Sequence, residues 1–175
     1  FMKQVISAKI YQEYLPTGES NLVKLFSQGN YVGMYVNDES INKQFLDKHF
    51  DEKNGPLFKC DNIDRFCDTA GAPSGMPPNL NFLGDDSTLY YNSYDMKSDH
   101  GWTELVDLIR TIVYEFQNID SVLNVDRTLW AFAANQTLQN LDCYNTYYVH
   151  NYYLYQKIQL KMIFPIPEHL QKIKI

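Results

Sequence analysis

A carboxylate followed at short range by carboxamides is the pattern in this chain with the clearest chemical use. Asp142 is followed by Asn145 and Asn151, in LQNLDCYNTYYVHNYYLY. On a loop before a strand, such a set suits phosphoryl transfer. The Asp orients or deprotonates an attacking hydroxyl, and an Asn amide oxygen coordinates Mg²⁺. Asp and Asn also serve as turn and capping residues, so the spacing alone leaves both roles open. Glu39 follows the hairpin strand and opens the next helix, where it can pair with a Lys that holds nucleotide phosphates or simply be a first-turn Glu favoured by the helix dipole. Lys59, in LFK, suits a phosphate or a strand edge.

Other chemistries find less support. His49, His100, His150 and His169 stand at no metal-ligand spacing from Cys, Asp or Glu. No Ser sits in a G-x-S-x-G elbow, and no G-x-x-x-x-G-K-[ST] loop occurs. Cys60, Cys67 and Cys143 are an odd set, and Cys60 and Cys67 lie too far apart for a zinc knuckle, so buried thiols are expected. Tyr144, Tyr147, Tyr148, Tyr152, Tyr153 and Tyr155 offer stacking surfaces, but without a basic flank they read as core and strand packing. The one sequon, at Asn135, falls inside a helical pattern and reads as fortuitous.

These residues need elements to position them. Apolar spacing over 5–15 predicts a helix ended by Pro16 and Gly18. Two β-rich runs around Gln28-Gly29-Asn30 predict a hairpin, with a bulge or close approach at Gly33. Ile41, Phe45, Leu46 and Phe50 predict a short amphipathic helix with Ser40 as N-cap. GPLFKCD reads as a strand, the Gly/Pro-rich 71–79 as a loop, and STLYYNSYDMKS as strand-like. Helices follow over 102–117, with Trp102, Leu105, Leu108, Ile109, Ile112, Val113 and Phe116 on one face, and over about 126–139, with Leu129, Trp130, Ala133, Ala134 and Leu138. A loop then enters an aromatic strand, and the tail after it has no clear assignment. Strands mainly first and helices later make an α+β chain.

Composition narrows the partners. The 175 residues carry a net charge of −6, which argues against a basic nucleic-acid surface. Apolar types make up 45%, enough for a packed core. No apolar run reaches the length of a membrane span, and the N-terminus lacks a signal-peptide pattern. The chain starts at Phe1 rather than Met, so it is expected to be cut from something longer.

The linear order of the motifs resembles the CotH family, the spore-coat-protein-H-like atypical kinases. VKLFSQGNYVGMYVNDESINKQFL is similar to its hairpin signature, matching at Gly29, Tyr31, Gly33, Tyr35, Glu39, Phe45 and Leu46. GPLFK resembles the following G-x-L-[YF]-K, and NVDRTLWAFAANQTLQNLDCYN with NYYLY resembles its helix ending in N-x-D and the next strand. Trp102 heads a helix where the family often has a Trp.

That resemblance implies a divergent protein-kinase-like fold, incomplete at both ends, with residues 1–175 a partial domain and a lobe boundary in loop 71–79. It implies transfer of the ATP γ-phosphate to Ser or Thr of a protein, such as a spore coat protein, with Mg²⁺ or Mn²⁺. Asp142 would be catalytic and Asn151 would sit by the metal. Glu39, Lys59 and Lys24 would belong to the nucleotide site, Lys24 as the best lysine upstream of Glu39. The location implied is a spore coat or the cell surface. A non-catalytic surface module that binds other proteins is the alternative from the same family. One departure stands out: the family continues into a W-D-x-D-like segment whose first Asp binds Mg²⁺, where this chain reads MIFPIPEHLQKIKI with only Glu168 nearby.

Overall fold

The computed structural model describes residues 2–61, 77–157 and 162–167. The loop expected over 71–79 is therefore described only from residue 77, and Cys67, Glu168 and His169 lie outside the described residues. Helix α1 (Met2–Gln12) leads into strands β1 (Ser20–Ser27) and β2 (Asn30–Asp38), then α2 (Lys43–Phe50) and β3 (Leu57–Cys60). A 3-10 turn (Ser87–Tyr90), β4 (Tyr94–Met96), α3 (Trp102–Tyr114), a second 3-10 turn (Phe116–Asn118) and α4 (Ile119–Val122) follow. Then come α5 (Val125–Thr137), β5 (Tyr152–Gln156) and β6 (Met162–Pro167). Helices beside small antiparallel sheets make this an α+β architecture.

Strands β1 and β2 form a two-stranded sheet of their own. The turn between them has positive φ at both Gln28 and Gly29, the backbone that matches the twist of a tight hairpin. The register shifts between Leu25, opposite Gly33, and Phe26, opposite Tyr31, so the bulge falls beside Gly33 as its position in the strand predicts. Helix α2 begins later than expected. Asn42, not Ser40, is its N-cap, and Asn42 Oδ1 accepts from the amides of Gln44 and Phe45.

The larger sheet has the order β4-β3-β5-β6, antiparallel throughout. Alternation along β3 and β5 sends successive side chains to opposite faces. Phe58, Cys60, Tyr152 and Leu154 pack with Leu105, Leu108 and Ile109 of α3. Leu57, Tyr153 and Tyr155 pack with Phe45, Leu46 and Phe50 of α2. Strand β5 is buried on both faces, which explains its unbroken aromatic-apolar run. The tyrosines there find partners: the Tyr152 hydroxyl donates to the Pro78 carbonyl, and that of Tyr155 to Glu52.

The expected faces hold in part: Leu105, Leu108 and Ile109 of α3 and Ala134 of α5 are buried as expected. On α3, Val106 is buried while Val113 is exposed, and Phe116 lies exposed beyond the helix end. On α5, Leu129 and Trp130 are exposed, while Thr128, Ala131, Ala134 and Asn135 face inward. The inward polar residues have partners there, since Asn135 Oδ1 accepts from the Tyr11 hydroxyl at 2.7 Å. The strand-like stretch also divides. Asp86 caps a 3-10 turn by accepting from the Thr88 amide, so only Tyr94–Met96 is extended.

Candidate active site

The loop between α5 and β5 carries Asp142, and buried amide groups hold it. Helix α5 stops in a left-handed residue, Gln139 (φ 52°). The next residue, Asn140, is buried. Its side-chain amide reaches the Tyr11 hydroxyl and Asn135 Oδ1, both at 3.4 Å, and its Oδ1 accepts the backbone amide of Asp142 at 3.2 Å. Asn135 Nδ2 in turn donates to Asn145 Oδ1 at 3.1 Å. Tyr148 N donates to Leu141 O at 2.9 Å and closes the loop. One end of α1, one face of α5 and the Asp142 loop thus share one buried polar network. Asn135 is 1% exposed, which leaves its sequon inaccessible in the folded chain.

The Asp142 carboxylate is engaged on both oxygens. Oδ1 lies 2.9 Å from His150 Nε2, and Oδ2 accepts from Asn151 Nδ2 at 2.6 Å. Asn151 adopts φ 55°, a left-handed conformation that Asn tolerates better than most residues, and this aims its amide back at the loop. The other ring nitrogen of His150, Nδ1, lies 3.2 Å from the Tyr148 carbonyl oxygen. Both ring nitrogens therefore face oxygen acceptors, and only the imidazolium donates to both. Burial alone would pull the His150 pKa down, but the hydrogen bond and charge of Asp142 outweigh it and the net shift is upward.

Lys59 stands on an inner strand, not at a sheet edge, opposite Tyr153. Its ammonium pairs with Asp61 at 3.0 Å, and both side chains are largely buried. The Asp61 charge also acts on His150. Sheet pairing thus gathers Lys59 and Asp61 beside the group formed by Asp142, His150 and Asn151.

The other two expected residues make different contacts. Glu39 follows β2, ahead of the first turn of α2. Its carboxylate accepts from the Glu19 amide at 3.0 Å and pairs with Lys48 at 3.3 Å. Lys24 is exposed on β1, opposite Met34. Cys60 and Cys143 are poor nucleophiles, since burial pushes their thiols up.

Two residues escaped the sequence reading. His150 showed no metal spacing, yet it immediately precedes Asn151, and a turn back toward Asp142 brings both along. Asp61 lies two residues after Lys59, and period-two alternation puts both on one side of the strand.

The model of the family described as CotH kinase protein matches residues 1–167 of the 175. The chain belongs to the CotH kinase family. No curated protein matches it. The CotH match takes in the hairpin, both faces of the larger sheet and the whole Asp142 loop, so every candidate site residue lies inside it. No helix among the described residues is long and apolar enough to cross a membrane.

Proposed function

We propose that this chain is a protein-kinase-like domain that transfers the γ-phosphoryl group of ATP to a Ser or Thr hydroxyl of a protein. The observation that carries this reading is the Asp142 carboxylate, fixed between His150 and Asn151 at the mouth of a buried strand. Membership of the CotH kinase family supports it.

Phosphoryl transfer needs a positioned acceptor hydroxyl and neutralised phosphate charge more than covalent chemistry. Each oxygen of Asp142 has a second lone-pair direction beyond its present partner. One of these can accept the hydroxyl proton of the acceptor and orient its oxygen for attack. His150 holds the carboxylate in place. Lys59, on the neighbouring strand and paired with Asp61, would face the phosphates. Glu39 and Lys24 would complete the nucleotide site from the hairpin side.

Magnesium takes oxygen ligands, commonly one or two carboxylates together with phosphate oxygens and water. Asn151 commits its amide nitrogen to Asp142, so its carbonyl oxygen would be the atom offered to a cation. Asp142 and Asn151 therefore fit the ion. Among the described residues no group of three or more His, Cys, Asp or Glu could hold a metal without such help. Magnesium, when bound, would supply charge neutralisation at the phosphates.

Incubation with radiolabelled ATP, Mg²⁺ or Mn²⁺ and a Ser-rich protein tests the proposal. Label should pass to the protein, and Asp142→Ala should reduce the rate by about 10²–10⁴-fold. Equal labelling by wild type and variant, or none by either, sinks the kinase reading. A melting temperature unmoved by Mg·ATP would favour the non-catalytic surface module instead.

A further inference from the structure

A cavity of about 440 Å³ opens between the end of α1, the start of β1, α2 and α5. Gln12, Glu13, Tyr14, Glu19, His49 and Arg127 are among its walls. Arg127 belongs to the first turn of α5, whereas Asp142 follows that helix's last turn. The helix from Arg127 to Thr137 alone spans ~15 Å, so the cavity and the Asp142 loop sit at opposite ends of α5.

Two donors in this cavity are unsatisfied. Arg127 Nη1 is buried and has no hydrogen-bond partner among the described residues. The guanidinium lies 5.8 Å from the centre of the Phe50 ring, which supports its plane without neutralising its charge. His49 Nε2 is also buried and unpartnered, and a Glu39 oxygen at 3.9 Å is beyond hydrogen-bond reach. Polar side-chain atoms shut off from water are normally hydrogen-bonded. The carboxylates nearby do not meet this need. Glu19 is bound to Lys48 at 2.6 Å, and Glu13, in the turn after α1, is an exposed wall residue with no contact to either nitrogen among the described residues.

We propose that this cavity binds a small oxyanion, a carboxylate or phosphate group, between the Arg127 guanidinium and the His49 imidazole. A planar guanidinium fork matches two oxygens of either anion, and His49 supplies a donor from a second helix. The cavity is large enough for the anion to be one end of a larger ligand. Tyr14, stacked on Trp130 with centroids 4.8 Å apart, forms the aromatic rim on which such a ligand would rest.

The test uses the chain with inorganic phosphate in one arm and acetate in the other, against chloride at matched ionic strength. Isothermal titration should show binding in at least one arm, and which arm identifies the anion. The His49 ring resonances should shift as that anion is added. Arg127→Met keeps an aliphatic stem over Phe50 and should weaken binding by at least about tenfold, the scale of one charge-assisted hydrogen bond. No binding in either arm overturns the proposal. So does binding that leaves the His49 resonances in place, a reading that needs no variant to fold. These outcomes are independent of whether Asp142 supports phosphoryl transfer.

Discussion

Asn151 donates to Asp142 at 2.6 Å from a left-handed backbone, so one strained residue fixes the orientation of the carboxylate on which the proposed chemistry rests. Strain of this kind persists only where surrounding structure holds it. Here the buried strand β5 begins at the next residue and holds it.

Backbone and hydrogen bond can be separated at Asn151. Asn151→Gly loses the bond but relaxes the backbone, whereas Asn151→Ala loses the bond and keeps the strain. The alanine variant should be the less stable by about 1 kcal/mol, the scale of the left-handed penalty for a residue with a Cβ. Both should lose phosphoryl transfer to a similar extent, because both remove one of the two anchors of the carboxylate and leave only His150. Denaturant midpoints and transfer rates measured side by side check this. Equal stability would mean that the left-handed conformation carries no cost here.

The polar network under the loop should be cooperative. Tyr11→Phe leaves the inward amides of Asn135 and Asn140 with one partner fewer and should cost about 1–3 kcal/mol. For a chain of this size that is a fall in melting temperature of roughly 2–4 °C per kcal/mol. Asn135→Leu should cost as much or more. The double variant should lose clearly less than the sum, since both changes break one unit. Additive losses would show that the α1–α5 contact and the loop are held independently.

The two half-buried histidines, His49 and His150, should pull stability in opposite directions with pH. His150 has its pKa raised in the fold, burial being outweighed by Asp142. Its contribution is present below the unfolded value of about 6.5 and is lost as pH rises through the higher folded value. His49 has its pKa lowered, chiefly by burial. The fold favours its neutral form, so its contribution is present above about 6.5 and is lost as pH falls through the lower folded value. Urea midpoints across pH 4–9 should therefore show His150→Gln losing most against wild type on the acid side. His49→Gln should flatten the acid limb. The reverse pattern would contradict the assigned charge states.

What the sequence revealed and what it hid divide along physical lines. The hairpin was legible because Gly29 and the alternating apolar residues are local signals, and so was the bulge at Gly33. Asp142 and Asn151 were legible as a pair because a short loop must return near its start. Helix faces were less legible. On α5 the exposed Trp130 and Leu129 look like core, and the buried Asn135 looks like surface, until Tyr11 arrives from far along the chain to satisfy it. Ser40 and Asn42 are both good caps, and only the backbone geometry selects Asn42. Asp61 and His150 were hidden for another reason: their partners Lys59 and Asp142 are near in the chain, but only the folded strand and the turn of the loop bring the charged groups together.

The Lys59–Asp61 pair separates structural from functional roles. Removing one member of a largely buried ion pair costs about 3–5 kcal/mol. Asp61→Leu alone should therefore destabilise strongly. Lys59→Met combined with Asp61→Leu should recover much of that loss, since both charges are then gone. If Lys59 faces the phosphates of ATP, the double variant will fold but show no rise in melting temperature with Mg·ATP, where wild type shows one. If Lys59 serves the fold alone, the rise will persist in the double variant. A stable double variant that still binds Mg·ATP would remove Lys59 from the nucleotide site and leave Lys24 as the remaining proposed lysine.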